Sequence, residues 1–370
     1  MSDAAKPEIQ QPAAGKQPQA ADKKPPAADN KPTAAMKKPP AAEPAGLQIL
    51  STWKYARPLT ACRFDPQARY VFTGAEDNLV QRWNVADGTA TPLAAHDSWV
   101  RAIGFTPDGA VALSAGYDGR LVWWPTAAPQ PRPVRIVQAH DGWVRALAVS
   151  PDGKLVATCG NDRLVKLWNT ADGRLVRSLS GHESHVYNVA FHPGGEFLAS
   201  CDLKAVVKQW DVRSGKAVRD LSAAALHKYD TTFRADLGGA RCLAFSRDGK
   251  RLAVGGISNV QNAFAGIGDP TVVVLDFETG KLKIQHTAKE SIRGVAWGVA
   301  EHPDGYWIGT VGGSSGGFVF FWRDSEPHEF FKFKMPDNGR DMSLASDGLR
   351  MPVAHADGQV RIYQLKTLKS

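Results

Sequence analysis

The sequence contains few cysteines and no long apolar run, and these two features exclude several classes of protein. Its four cysteines, Cys62, Cys159, Cys201 and Cys242, lie far apart in separate apolar segments. No C-x-x-C pair occurs, so neither a zinc site nor a disulfide framework is indicated, and buried free thiols in a reducing compartment fit best. The apolar runs are far shorter than the roughly 20 residues of a membrane helix. Because no secretory signal is visible either, we expect a soluble, cytoplasmic protein.

Dense basic clusters and common catalytic motifs are also missing. Lys and Arg number 45 against 37 Asp and Glu, and the resulting charge of +8 is spread along the chain. A dedicated nucleic-acid-binding protein concentrates its basic residues in patches, so nucleic acid is disfavoured as a partner. The sequence contains no G-x-S-x-G, H-E-x-x-H or P-loop motif. No catalytic residue, metal ligand or cofactor is therefore predicted.

Residues 1–46 differ in composition from the rest of the chain. They contain 13 Ala and 9 Pro, and Ala-Ala pairs recur every seven residues together with a proline. A heptad can indicate a coiled coil, but each proline in a helix costs about 3 kcal/mol, and large apolar residues are almost absent. We predict a disordered, extended tail that acts as a solubilising spacer or, alternatively, as a docking segment.

Residues 47–370 are predicted to form a repeat domain. A tight turn, most often Pro-Asp-Gly, recurs seven times with spacings of 41, 44, 42, 54, 56 and 43 residues. Between these turns lie runs of five or six residues rich in Val, Leu and Trp, bounded by Asp-Gly or Asn-Asp turns, which is typical of antiparallel strands. Four such strands per unit, seven times over, predict an all-β, seven-bladed β-propeller.

The last unit lacks its outer strand. Only five residues follow Leu365, whereas the segment at 48–54, QILSTWK, aligns with the outer strand of unit three. We therefore predict that this N-terminal strand completes the seventh blade and closes the ring.

Two units carry a histidine, a hydroxyl residue, an aspartate and a tryptophan at the same spacing. These are His96, Ser114, Asp118 and Trp124 in unit two, and His140, Thr158, Asp162 and Trp168 in unit three. In register with the Pro-Asp-Gly turns, this pattern resembles that of the WD-repeat (WD40) family. The resemblance implies that these residues form a buried hydrogen-bond network within each blade. A hydroxyl, an imidazole and a carboxylate could also form a hydrolase triad, but repetition in several units favours a structural role.

The match weakens in the other units. Unit one has Tyr55 in place of the histidine, and unit four has Lys204 where the acid is expected. Unit six keeps Trp322, and unit seven has Asp357 and Tyr363. Unit five has lost the aromatic residue, and its two insertions, at 222–239 and 256–270, are predicted to be loops on the top face, where the histidine-bearing loops also lie.

Aromatic residues and arginines recur at short top-face positions. The candidate partner-binding residues are Trp99, Arg101, Tyr117, Trp143, Arg145, Asn161 and Tyr187. Exposed Trp, Tyr and Arg concentrate binding energy in interfaces. The alternative is that the two tryptophans pack between blades and the arginines are solvated. The predicted function is a non-enzymatic scaffold, a monomeric propeller within a larger complex that docks a protein or peptide. The alternative is an enzyme or small-ligand-binding protein that uses the central axis.

Overall fold

The protein is described here by a computed structural model of residues 44–262 and 266–367. These residues form seven four-stranded antiparallel sheets and one additional hairpin. One short 3₁₀ helix, Ala224–Leu226, is the single helix in the described ranges, and it is too short to cross a bilayer. The predicted disordered tail at 1–46 lies almost entirely outside the described residues and stays a prediction.

Each sheet is one blade, and in blades one to six the strands follow sequence order from the central axis outward. Blade one contains β2 Leu59–Phe64, β3 Tyr70–Ala75, β4 Leu79–Asn84 and β5 Ala90–Ala94. Blade two contains β6 Val100–Phe105, β7 Val111–Gly116, β8 Arg120–Pro125 and β9 Arg135–Gln138. Blade three contains β10 Val144–Val149, β11 Leu155–Gly160, β12 Val165–Asn169 and β13 Leu175–Leu179. Blade four contains β14 Val186–Phe191, β15 Phe197–Asp202, β16 Val206–Asp211 and β17 Ala217–Ser222.

The remaining blades follow a hairpin of β18 His227–Asp230 and β19 Ala235–Gly238. Blade five contains β20 Ala240–Phe245, β21 Arg251–Asn262, β22 Ile267–Asp276 and β23 Leu282–His286. Blade six contains β24 Val295–Glu301, β25 Trp307–Gly312, β26 Phe318–Trp322 and β27 Phe331–Lys334. Blade seven contains β28 Gly339–Met342, β29 Arg350–His355, β30 Gln359–Thr367 and, as its outer strand, β1 Pro44–Lys54.

The predicted seven-bladed propeller and its closure are therefore confirmed. Strand β1 pairs antiparallel with β30, from Pro44 opposite Thr367 to Lys54 opposite Gln359. The first strand of each blade contacts that of the next blade, and β28 contacts β2 to complete the ring. The apolar core lies between neighbouring blades: Ile308 and Phe321 of blade six, for example, pack with Tyr363 of blade seven.

The two insertions of unit five are hairpins rather than the predicted loops. The segment at 256–270 lengthens β21 and β22, which pair as far as Asn262 opposite Ile267, while residues 263–265 lie outside the description. The longer strands are stabilised because Ile257 and Val260 are buried against Val295 of blade six. Hairpin β18–β19 packs against this extension of β21.

Candidate functional site

The repeated polar residues of blade two form one continuous hydrogen-bond chain. Trp124 Nε1 donates to Ser114 Oγ at 2.9 Å, and Ser114 Oγ lies 2.8 Å from His96 Nε2. His96 Nδ1 lies 3.0 Å from Asp118 Oδ2. Because a carboxylate only accepts, Nδ1 carries the imidazole proton, and the serine hydroxyl donates to Nε2.

Blade three repeats the chain with a threonine. Trp168 Nε1 donates to Thr158 Oγ1 at 2.8 Å, and Thr158 Oγ1 lies 2.7 Å from His140 Nε2. His140 Nδ1 lies 2.8 Å from Asp162 Oδ1. Burial lowers the pKa of His140, so its imidazole is neutral at pH 7. The threonine hydroxyl is fully buried and already hydrogen-bonded at both ends. A substrate cannot reach it, so the chain has the geometry of a structural network.

Blade four contains a complete chain as well, with an acid that the sequence pattern did not identify. His182 Nδ1 lies 2.8 Å from Asp202 Oδ2, whereas Lys204, at the position where the acid was expected, pairs with exposed Glu183. In blade three the position equivalent to Asp202 is Gly160, whose missing Cβ would lie 3.2 Å from the imidazole of His140. A side chain at this position points at the histidine. In blade four, Asp202 therefore takes the role that Asp162, two positions after Gly160, has in blade three.

Blade one uses a phenol in the same role. The Tyr55 hydroxyl donates to Asp77 Oδ2 at 2.5 Å, and Trp83 donates to Thr73 Oγ1 at 3.0 Å. Burial, together with the neighbouring carboxylate, raises the pKa of Tyr55 to about 12. The phenol therefore stays protonated and keeps this hydrogen bond at all physiological pH values.

Blade six does not place its tryptophan as the sequence indicated. In blades one to four the tryptophan follows the hydroxyl residue by 10 positions, but Phe320 stands 10 positions after Thr310. Trp322 Nε1 instead donates to the carbonyl oxygen of Thr287 at 3.2 Å. The hydroxyl of Thr310 has no hydrogen-bond partner among the described residues.

Blade seven has a histidine that the sequence comparison missed. His355 Nδ1 donates to the carbonyl oxygen of Asp337 at 3.0 Å, and the Tyr363 hydroxyl lies 3.2 Å from His355 Nε2. Asp357, which the spacing indicated, binds Arg361 instead. Burial, and then the charge of Arg361, lowers the pKa of His355 to about 4.

We expect His355 to make the fold sensitive to acid. Its pKa is about 4 in the folded state and about 6.5 in the unfolded state, so the unfolded chain binds the extra proton between these values. This contribution to stability is complete above pH 6.5 and falls by about 3 kcal/mol as the pH falls to 4. Urea unfolding across this range should show a shallower pH dependence for His355→Gln than for the unsubstituted protein. Equal slopes would contradict the assignment.

The predicted partner-binding residues meet at the top of the central axis. Trp99, Tyr117 and Trp143 form an aromatic stack, with ring centroids 5.9 and 4.1 Å apart and interplanar angles of 21° and 6°. Both tryptophans are 42% exposed, and the ring of Trp143 packs on Tyr117 of the preceding blade. The stack presents a rigid aromatic surface to solvent.

Arg145 joins this aromatic stack to the rest of the predicted set. Its guanidinium carbon lies 4.6 Å from the ring centroids of both Trp143 and Tyr187. Its Nε donates to Asn161 Oδ1 at 2.8 Å, and one terminal nitrogen lies 3.2 Å from the Tyr117 hydroxyl. These contacts hold the guanidinium in one orientation.

A cavity of about 610 Å³, which we call the axial cavity, opens at this point. One side chain from the first strand of every blade lines it. These seven residues, which we call the bulge ring, are Thr60, Arg101, Arg145, Tyr187, Arg241, Trp297 and Arg340.

The bulge ring has a common structural cause. In every first strand the pairing register shifts at this residue, as between Val100 and Ala102 in blade two and between Ala240 and Cys242 in blade five. The same shift occurs in the other five blades. A β-bulge leaves one residue unpaired and redirects its side chain, and here it directs the side chain toward the axis.

Sequence reasoning found three members of the bulge ring and missed four. Arg101, Arg145 and Tyr187 follow a recognisable histidine by a fixed distance, whereas Arg241 and Trp297 follow none. The available signal was the distance to the following Asp-Gly turn, which marks the first strand in blades five to seven as well. Among the described residues, no group of His, Cys, Asp or Glu is arranged to hold a metal ion.

Comparison with known proteins supports the repeat assignment. The family model described as WD domain, G-beta repeat matches at four positions: 48–84, 89–125, 131–169 and 173–211. The first match joins the outer strand of blade seven to the first three strands of blade one. The three later matches likewise combine an outer strand with three strands of the next blade. The matched segments therefore interlock successive blades.

Individual curated relatives match over short segments. The chain is similar to nuclear distribution protein PAC1 of Arthroderma otae, with 31% identity over 78 residues, covering 20% of this chain and 17% of the relative. It is similar to nuclear distribution protein nudF 2 of Aspergillus clavatus, with 34% identity over 83 residues, covering 22% and 19%. It is similar to protein HIR1 of Yarrowia lipolytica, with 28% identity over 101 residues, covering 22% and 10%. The matches thus span less than a fifth of each relative.

Proposed function

Because the chain belongs to the WD40-repeat family, we propose that it is a non-enzymatic scaffold that docks a protein or peptide partner on its top face. The site is the rim of the axial cavity together with the aromatic stack. The observation that carries this proposal is the convergence of the bulge ring on one cavity, with one side chain contributed by each blade.

The chemistry of this surface is that of a binding hot spot. Trp, Tyr and Arg are the residues that most often carry binding energy, commonly about 2 kcal/mol or more each when they are truncated. Trp99, Trp143 and Arg145 are exposed or half-buried. Because the stacking contacts and the hydrogen bond to Asn161 fix them, a partner that binds here loses little free energy in ordering them.

A small-ligand-binding protein is the second candidate, and the volume of the axial cavity favours it. About 610 Å³ lies within the range of roughly 300–1,000 Å³ that is typical of small-molecule sites. The only carboxylate that lines the cavity among the described residues is Glu76, which forms an ion pair with Arg340. This arrangement supports binding better than acid–base catalysis.

The proposal places the protein in the cytoplasm as a monomeric propeller within a larger assembly. All four cysteines are free and buried. Burial raises the pKa of each thiol, which keeps it protonated and unreactive. Since the seven blades close into a ring within one chain, no second copy is required to cover an open blade.

The proposal is tested by affinity co-purification from the source organism with full-length bait. The top-face variant combines Trp99→Ala, Arg101→Ala, Trp143→Ala and Arg145→Ala. The control variant truncates four exposed apolar residues of outer strands: Leu175→Ala, Val176→Ala, Val218→Ala and Leu282→Ala. We expect the native bait and the control to recover the same partner, and the top-face variant to lose at least about 90% of it, since each hot spot contributes about tenfold or more in affinity.

Thermal melts first establish that all three baits are folded. Recovery of the same partner by the top-face variant would place the docking surface elsewhere, with the hairpins of unit five as the next candidate. If a folded native bait recovers no protein but retains a small molecule detectable by mass spectrometry, the second candidate replaces the first.

A further inference from the structure

The bulge ring carries positive charge that carboxylates in the described residues neutralise only in part. Four of its seven residues are arginines. Arg340 forms an ion pair with Glu76, and deeper along the axis Arg63 forms an ion pair with Asp341. The other three arginines of the bulge ring are Arg101, Arg145 and Arg241. They have no carboxylate partner among the described residues.

Within residues 44–262 and 266–367, the hydrogen bonds and ring contacts of these three guanidinium groups go to neutral groups. Arg101 donates to the carbonyl oxygen of Thr60 at 2.8 Å, and Arg145 donates to Asn161 at 2.8 Å. The Arg241 guanidinium lies 4.4 Å from the ring centroid of Tyr187, and its hydrogen bond to the carbonyl oxygen of Ala240 is long at 3.4 Å. Donors therefore remain available on all three groups, facing a common cavity.

Holding these charges together costs stability. Burial lowers the pKa of Arg241, and the like charges of Arg145 and Arg101 lower it further. Arg63 shows the contrast: burial alone would lower its pKa, but the carboxylate of Asp341 raises it. The three groups are half-buried; an unpaired charge withdrawn from water in this way is retained at a free-energy cost, and an anion entering the cavity would reduce that cost.

We propose that the axial cavity binds an acidic side chain of a peptide partner, a carboxylate or a phosphorylated residue, between Arg101, Arg145 and Arg241. This inference rests on the proposed function and specifies its ligand. The neighbouring aromatic stack contacts the residues that flank the anion. Guanidinium groups suit this role because they bind carboxylates and phosphates through two parallel hydrogen bonds.

The chain's own N-terminal segment does not supply this anion. Residues 1–43 carry seven Lys against five Asp and Glu, so their net charge has the same sign as the cavity. The cavity volume of about 610 Å³ matches a few side chains rather than a folded domain. A peptide from a separate, acidic partner is the occupant that complements both the charge and the size.

The test starts from a randomised ten-residue phage library selected on the full-length protein. We expect the enriched peptides to contain Asp or Glu next to an apolar residue. One enriched peptide is then synthesised in three forms, with its conserved acidic residue kept, replaced by Gln, or replaced by phosphoserine. Fluorescence anisotropy should give a dissociation constant about tenfold or more weaker for the Gln form. If the carboxylate and phosphoserine forms both bind, negative charge is what the cavity recognises. The ratio of their dissociation constants shows whether the cavity prefers a carboxylate or a phosphate.

Arg241→Met provides the matching change in the protein. This substitution should weaken binding of the acidic peptide about tenfold or more. It should leave the melting temperature unchanged or higher, because it removes an unpaired, half-buried charge. A purely structural arginine would show the opposite pattern. Arg174→Met is the control, since its exposed side chain lies in the β12–β13 turn on the other face, and binding should stay within about twofold.

The failure modes are distinct. Peptides that require the aromatic stack but bind equally as the Gln form overturn the acidic-ligand proposal and leave the scaffold proposal standing. Peptides that bind the four-residue top-face variant as tightly as the native protein overturn both. A library that enriches no sequence overturns the peptide ligand, and tighter binding of a 12-nucleotide single-stranded DNA by the same arginines would replace it with nucleic acid.

Discussion

Deletion of residues 1–54 should abolish cooperative folding, whereas deletion of residues 1–43 should leave the melting temperature within about 2 °C of the full-length value. The longer deletion removes β1, which pairs with β30 at nine positions. It also uncovers Tyr363 and Leu365, which Leu47 helps to bury. With each net hydrogen bond contributing about 1 kcal/mol and apolar burial added, the loss approaches the 5–15 kcal/mol that stabilises a typical domain.

The loss would extend beyond blade seven because β1 also connects it to blade one. Trp53 stacks on Trp83 of blade one, with centroids 5.8 Å apart and an interplanar angle of 12°. Without β1, Trp83 loses its stacking partner and blade seven keeps only its three inner strands at the point where the ring closes. Circular dichroism melts of the two deletions compare them directly, and a cooperative transition at the full-length temperature for residues 55–370 would contradict the role of β1 as the closing strand.

The closing strand also shows why this fold can be predicted from sequence. Blade number and closure depend on turn spacing and on strand length, which a repeat displays directly. The network of blades two and three could be assigned residue by residue because one spacing serves both. These features are local, so the tertiary structure has little opportunity to change them.

The site was less predictable, since it depends on where side chains point. Arg241 and Arg101 both occupy the bulge of a first strand. Only Arg101 follows a histidine in the sequence, so only Arg101 could be located by its distance from that histidine. The long hairpin of blade five was predicted as a loop because its strand extension is stabilised by Val295 of the neighbouring blade. A contact between two blades produces no hydrophobic periodicity in the sequence of either blade, so the sequence does not reveal it.

Blade four offers the sharpest test of how sequence position translates into contact. Asp202 is 1% exposed; one carboxylate oxygen accepts from His182 and the other from the backbone amides of Lys204 and Val206. Asp202→Ala leaves the imidazole and both amides without their acceptor, so we expect the free energy of unfolding to fall by about 3 kcal/mol. Lys204→Ala, which removes a surface ion pair with Glu183, should change it by less than about 0.5 kcal/mol.

A double substitution separates the geometry of the network from the identity of one residue. Asp202→Gly with Lys204→Asp recreates the order found in blade three, where Gly160 precedes Asp162 by two positions. If the histidine requires only a carboxylate within reach of Nδ1, the double variant should recover most of the stability that Asp202→Gly alone loses, as measured by urea unfolding. Equal stability of the single and double variants would mean that the backbone of this turn in blade four allows a carboxylate to reach His182 only from position 202. Recovery would show that the propeller tolerates either position, which explains how this blade remains a complete repeat although its sequence departs from the spacing of its neighbours.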